Sequence, residues 1–373
     1  MTFNNGDVKP CCDSRRLNSD EKKNLADIWQ SKKWNNIRSN IKKDIRSQEC
    51  QVCWDKEDQG LVSGRDNRDE QLDLLYKCSE SGQMNLLPET ISLRMGNICN
   101  LKCIMCSPMN STKWYSDLEI YNKYFPEKKI LSSYPKFNFD EFKEISKNLK
   151  MINFIGGEPL IIKEHQQVIN YLITSGLSKK MTLSYSTNIT VLPDWCKESW
   201  KEFQRVIFKC SIDAVGEKYN YIRSPGNWKL VEENFIKLNN WNLRNVEISI
   251  LFVLMNINGL GLEELFRWRN SFTWQGAMPE IRPDYLSEPY FLSPHNLVEE
   301  DLVNIQQSLS RTIDELTMND FEKVLLKDML SQLNLNSSKN IDFNKFKNYI
   351  KDLDVKRNFD SQSIFNLKTL RLS

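Results

Sequence analysis

The 373-residue chain reads as an α/β protein: an open, partial (β/α)6 TIM-like barrel, a small N-terminal cysteine-containing module and a helical C-terminal region. Three observations predict this. From about residue 90, six apolar β-type runs alternate with helical stretches, the pattern of parallel β/α units. Cys11, Cys12, Cys50, Cys53 and Cys78 all precede the first run, and no cysteine lies beyond Cys210. After about residue 295 the apolar spacing is helical only. The expected divisions are 1–88, 89–290 and 291–373.

Composition bounds the function. With 40% hydrophobic and 27% charged residues the chain suits a folded globular protein. A net charge of +2 does not argue for a nucleic-acid surface. No apolar run approaches the roughly 20 residues of a membrane span, and the polar N-terminus lacks the apolar stretch of a signal peptide. A cytoplasmic, reducing setting is therefore expected, in which ten cysteines point to metal ligands, reactive thiols or core residues rather than disulfides. Only His165 and His295 are present, which disfavours histidine-rich metal sites.

In the first division, apolar residues at Leu25, Ile28, Trp29, Ile37, Ile41 and Ile45 fall at helical steps, so one amphipathic helix or a pair spans about 20–45. Cys50-Gln-Val-Cys53-Trp54 follows, then a polar helix and Cys78, expected in a helical, charged context. Cys11 or Cys12, Cys50, Cys53 and Cys78 can supply four thiolates. Cys11 and Cys12 are adjacent, so one of them ligates, with Cys12 favoured. The site holds an iron–sulfur cluster or a structural zinc, or the cysteines are simply packed.

The predicted strands are 91–96, 150–155, 181–187, 205–212, 246–254 and 279–285. Right-handed crossovers bring all their C-terminal ends to one rim, where sites of such barrels gather. After the first strand comes Cys99-Asn-Leu-Lys-Cys103-Ile-Met-Cys106. Thiolates at C-x3-C-x2-C can hold three irons of a cubane and leave the fourth open to a small molecule. Zinc is the rival, but its structural sites pair two C-x2-C elements, and no second pair follows closely. After the second strand, Gly156-Gly157-Glu158-Pro159 combines a close-approach backbone with acceptors for an ammonium group. The third ends in Ser184-Tyr-Ser186-Thr187-Asn188, a polar rim or a helix N-cap. On the fourth, Ser211 and Asp213 share one face while Phe208 and Cys210 take the other, where Cys210, like Cys196, reads as core. The fifth is almost wholly apolar, as a central strand is, and ends at Met255-Asn256. The sixth gives Glu280, Arg282, Asp284 and Tyr285 as candidate substrate contacts. Helices follow near 296–312, 316–334 and 341–356, expected to cap the open barrel or to form an oligomer interface.

The cysteine triplet followed by Gly-Gly-Glu-Pro closely resembles radical S-adenosylmethionine (SAM) enzymes. The resemblance implies that Cys99, Cys103 and Cys106 hold a 4Fe-4S cluster whose open iron chelates SAM. It implies reductive cleavage of SAM to a 5′-deoxyadenosyl radical that removes hydrogen from a substrate. By the same resemblance Met105 lies beside the adenine, where an aromatic is commoner, and Gly156, Gly157, Glu158 and Pro159 bind the SAM amino group. Ser186 and Asn188 fall near its methionine or ribose, and Ser211 near the ribose. Asp213 falls near substrate or cofactor. Arg223, in Tyr221-Ile-Arg-Ser-Pro-Gly226, pairs with the SAM carboxylate, and Met255-Asn256 lies against the adenine or ribose.

The order Gly6-Asp-Val-Lys-Pro-Cys-Cys, Asp27-Ile-Trp-Gln-Ser, Asn36-Ile-Arg38 and Cys50-x2-Cys53 resembles twitch or SPASM auxiliary-cluster modules, which in most relatives follow the barrel. The implied partners are SAM, an electron donor such as flavodoxin or ferredoxin, and a peptide or protein substrate, with a small sugar or alcohol as the alternative. A non-catalytic metal-stabilised scaffold, and a methyl- or aminocarboxypropyl-transferring use of the same site, are the other readings.

Overall fold

The computed structural model describes residues 8–11, 14, 24–58, 63, 77–128, 130, 136–286, 288–335 and 342–371. Six parallel strands form one sheet in sequential order: β1 Thr90–Leu93, β2 Met151–Phe154, β3 Thr182–Thr187, β4 Arg205–Ser211, β5 Val246–Leu254 and β6 Glu280–Tyr285. Every neighbouring pair is parallel, with no pairing between β1 and β6, so the barrel is open as expected.

The register separates two faces. Leu93, Phe154, Tyr185, Phe208 and Ile248 form one row across five strands. Phe154 stacks on Tyr185 at 5.0 Å between centroids, and Phe208 stands 5.7 Å from Tyr185. This row faces the helices and belongs to the main core, where each large side chain contributes about 1.5–3 kcal/mol. One residue earlier on each strand, Ser92, Asn153 and Ser184 form a polar row on the open side. Period-two alternation thus puts an apolar layer behind the sheet and a polar lumen in front of it. Cys196 and Cys210 lie in the apolar layer, fully buried, as read from the sequence.

The helical stretch near the N-terminus resolves into a pair, Leu25–Gln30 and Lys32–Lys42, with Ser31 capping the second through its side chain. Val8, Trp34 and Ile37 form a separate small core with Leu25, Ile28, Trp29 and Ile41 packed against it. Hydrogen bonds tie the pair to the chain entering the barrel: Trp29 Nε1 donates to Leu86 O (2.8 Å), Gln30 Nε2 to Met84 O (2.7 Å) and Arg38 Nε to Gly82 O (2.8 Å).

After β6 come three longer helices, Glu299–Glu315, Asp320–Leu335 and Phe343–Arg357. Arg269 and Glu322, both fully buried, join the second of these to the barrel, and Glu322 also accepts from Ile281 N. The third goes neither to solvent nor across the barrel mouth alone. Tyr349 packs edge-on to Tyr124 and Phe291, and its hydroxyl reaches the cysteine-bearing loop.

Candidate active site

The loop after β1 is held from two sides. Lys102 N donates to Ser224 O and Ile104 N to Ile222 O, so the cysteine loop pairs with the segment carrying Arg223. Glu158 N donates to Ile98 O, which ties the loop to the Gly-Gly-Glu-Pro turn. That turn requires its glycines. Gly156 and Gly157 have φ of +79° and +56°, and a Cβ on Gly157 would stand 2.4 Å from Ile98 O.

These elements enclose a cavity of about 540 Å³ at the C-terminal rim of β1 to β4, a size suited to a small-molecule ligand. Cys99, Cys103, Cys106, Gly156, Gly157, Glu158, Ser186, Asn188, Ser211 and Arg223, all of them candidates from the sequence, line it together. Burial pushes the thiols of Cys99 and Cys106 up to about 12, with the neighbouring Cys103 adding to both. Burial also raises Cys103, against the pull of Arg223. Donors are already aimed at sulfur: Leu101 N (3.5 Å) and Asn188 Nδ2 (3.8 Å) at Cys99, Arg223 Nη1 (3.8 Å) at Cys103.

Among the described residues no three histidine, cysteine or carboxylate side chains converge as a single metal ion would require. A cubane instead meets each thiolate at its own iron. Three thiols on one loop, with N–H groups directed at two of them, fit such a centre.

Several side chains take positions that the sequence reading did not anticipate. Glu158, only 1% exposed, spends both oxygens on the chain: Oε1 accepts from Thr187 Oγ1 (2.7 Å) and Leu160 N (3.1 Å), Oε2 from Asn188 N (2.7 Å). It therefore joins the ends of β2 and β3. Asp213 is fully buried and outside the cavity lining, because its carboxylate is committed to Val253 N (2.9 Å) and to Arg223 Nη2 (2.6 Å). Arg223 is buried rather than a surface group. Burial opposes its charge, but Asp213 and the Cys103 sulfur outweigh burial and raise it. Met105 packs on the main core and Pro159 opens a short 3-10 turn, and neither lines the cavity.

Met255 and Asn256 are wholly buried, with Asn256 Nδ2 donating to Phe291 O (3.0 Å). The β6 candidates also lie apart from the cysteines. Arg282 pairs with Glu280 (2.6 Å), both of them beside a second cavity, and Tyr285 Oη donates to the Met329 carbonyl. Asp284 is outside the lining as well. His165 sits behind the sheet against Tyr185 Oη (2.9 Å), so its role is in the core.

The lining also includes residues the sequence reading passed over: Ser92, Arg94, Asn110, Asn153, Ser184, Thr187 and Lys209. Lys209 was findable, since it shares the Ser211 face of β4. Arg94, whose Nη1 donates to Asn110 Oδ1 (2.6 Å), was findable by the same alternation, two residues after Ser92 in the predicted strand 91–96, although the observed strand ends at Leu93. Lys209 has no ion pair or hydrogen bond among the described residues, and burial lowers its pKa.

In the N-terminal region, Cys11 and Cys50 are half-buried and Cys53 and Cys78 buried, while Cys12 lies outside the described residues. Cys78 is in a turn rather than a helix, its carbonyl accepting from Lys42 Nζ (2.9 Å). The polar helix expected just before it falls on 64–76, outside the described residues.

Residues 93–284, more than half of the chain, match the model of the radical SAM superfamily. The chain belongs to the radical SAM superfamily. Residues 3–54 match an iron-sulfur cluster-binding domain, the SPASM family, which places that module ahead of the barrel and includes Cys11, Cys12, Cys50 and Cys53. As a radical SAM protein the chain is an enzyme of a class that works with SAM and iron–sulfur clusters. A GTP 3′,8-cyclase of Clostridium botulinum is 22% identical over 227 residues, 57% of this chain and 65% of the cyclase. The chain thus spans just under two thirds of that relative. Among solved structures, anSMEcpe with bound AdoMet is 15% identical at a TM-score of 0.44, covering 65% of this chain and 66% of that one. SuiB of Streptococcus suis bound to the precursor peptide SuiA is 14% identical at 0.37, covering 62% and 48%. No described helix is long and apolar enough to cross a membrane.

Proposed function

We propose that this radical SAM enzyme binds a 4Fe-4S cluster through Cys99, Cys103 and Cys106 and removes a hydrogen atom from a peptide or protein substrate. One observation carries the reading: the three thiols, Gly156-Gly157-Glu158 and Arg223 come from separate parts of the chain yet line one cavity. When bound, cluster and SAM together supply a 5′-deoxyadenosyl radical once an electron is delivered by a donor such as flavodoxin or ferredoxin.

The chain's own residues bind and orient. Gly156 and Gly157 hold the turn open beside the cysteine loop. Arg223, fixed by Asp213, offers Nη1 to Cys103 and its unpartnered Nε as a donor for a carboxylate. Ser186, Asn188 and Ser211 offer hydroxyl and amide groups for ribose and amino-acid portions. Glu158 sets the position of Asn188 rather than taking ligand with both oxygens.

The peptide assignment rests on the N-terminal iron–sulfur domain, expected to carry an auxiliary cluster on Cys12, Cys50, Cys53 and Cys78. A second reading has its own observation. Lys209 and Arg94 make the lumen cationic, which suits a phosphate-bearing small molecule of the kind a GTP cyclase handles.

Anaerobic reconstitution followed by reduction tests the class: SAM is converted to 5′-deoxyadenosine, and Cys99→Ala abolishes this. Reduced, cluster-loaded protein that leaves SAM intact overturns it. Deuterium transfer into 5′-deoxyadenosine from labelled peptides or from labelled nucleotides then separates the two substrate readings.

A further inference from the structure

The helix Phe343–Arg357 lies outside the stretch matched by the radical SAM family, yet three of its side chains reach segments that carry or flank the site. Tyr349 Oη donates to the carbonyl of Ile104, within the cysteine loop, at 2.6 Å. Asp354 accepts from Tyr221 Oη at 2.8 Å, two residues before Arg223. Arg357 reaches furthest. Its Nε donates to Asp117 Oδ2 at 2.8 Å, and its guanidinium lies 4.9 Å over the ring of Trp114. The indole N–H of that Trp114 donates to the carbonyl of Cys103 at 3.1 Å. A single aromatic ring therefore links the guanidinium to the Cys103 backbone.

Charge at this spot does not balance. Asp117 is shared by Arg357 and by Lys102 Nζ (2.7 Å), so two cations face one carboxylate and the group carries a net +1. The Arg357 side chain is 2% exposed, and both of its Nη atoms lack an acceptor. Burying a guanidinium with open donors is costly, and an apolar side chain would cover Trp114 as well. A cation that shares its one carboxylate with Lys102, beside a loop of three thiols, instead has a use when that loop becomes strongly negative.

We propose that Arg357 tunes the charge of the iron–sulfur centre on the cysteine loop, favouring its reduced state from a helix that the family match does not include. The inference rests on the reading in which Cys99, Cys103 and Cys106 hold that centre. One-electron reduction by dithionite adds one electron and no proton to the centre, so its charge falls by one unit. A fixed positive charge nearby, in a medium that screens poorly, stabilises the reduced form more than the oxidised one. Arginine suits the role because its planar guanidinium stacks on the Trp114 ring while donating to Asp117.

The experiment is a redox titration followed by electron paramagnetic resonance on the anaerobically reconstituted full chain. It is read on the signal that disappears in Cys99→Ala. Arg357→Met should lower the ratio of reduced to oxidised centre about tenfold at the wild-type midpoint, which for a one-electron couple is a fall of about 59 mV. Arg357→Lys should stay near wild type. Asp117→Asn should move the midpoint the other way, because it removes the negative partner, and it carries the test alone if Arg357→Met fails to fold. Iron-loaded, folded Arg357→Met or Asp117→Asn with the wild-type midpoint overturns the inference. Wild-type protein with no Cys99-dependent signal overturns the cluster reading and this inference together, and its iron content tells that case apart.

Discussion

Glu158 is the residue on which the rim depends. Both of its oxygens accept from the backbone or hydroxyls of β3 and the turn, and it is buried. Glu158→Gln places an N–H group against at least one of those donors, so the apo protein should lose about 1–3 kcal/mol. The measurement is chemical unfolding of the apo protein, paired with SAM affinity, which should weaken because Asn188 moves. Gly157→Ala should cost a similar 1–3 kcal/mol, since it meets Ile98 O and a positive φ at once; solubility and iron uptake would show it.

His165 gives a pH signature. Burial holds its pKa down to about 3, from an ordinary 6.5, with no anion beside it. The unfolded chain therefore binds a proton that the folded chain refuses, so stability is lost as pH falls below about 6.5. The unfolding midpoint should drop between pH 7 and 5, and His165→Phe should flatten that slope. An unchanged slope would show that His165 titrates normally.

At the scale of elements, the cysteine loop takes its shape from strangers in sequence. Its backbone pairs with residues 222–224, its Cys103 carbonyl meets Trp114, and its Ile104 carbonyl meets Tyr349. Tyr349→Phe removes one buried donor and should cost about 1–3 kcal/mol locally. Hydrogen exchange should then speed up at amides around 102–106 while β3 to β5 stay protected. Deleting 343–371 uncovers the Tyr124, Phe125 and Phe291 cluster, and the truncated chain should aggregate. The helix Phe343–Arg357 therefore buttresses the cysteine loop.

Across the whole molecule, the candidate ligand cysteines fall into two groups, one in the N-terminal region and one on the loop after β1. A cubane on each corresponds to about eight irons per chain, and one on the barrel alone to about four. Replacing Cys50 and Cys53 by alanine should remove only the auxiliary share, and iron analysis beside 5′-deoxyadenosine yield separates the two. Because the barrel thiols are held protonated by burial, loading must displace their protons, so iron uptake should be faster at pH 8.5 than at pH 7.

Strand positions, their polar ends and the cysteine triplet were legible because each is local: period-two alternation and short spacings survive in a linear string. The roles of Asp213 and Glu158 were not, because a carboxylate at a rim looks the same whether it faces ligand or a neighbouring strand. Only the register, which sets Val253 N beside Asp213 and Asn188 N beside Glu158, decides that.

The linear chain by itself determined the six-stranded α/β scaffold, the thiol triplet and the enzyme family, since these are written in spacings of a few residues. Tertiary structure alone decided which cations surround the thiols. Arg223 stands 120 positions from Cys103, and Arg357 stands 240 from the Asp117 it pairs with. Contacts so distant in sequence arise from packing, which no local pattern encodes.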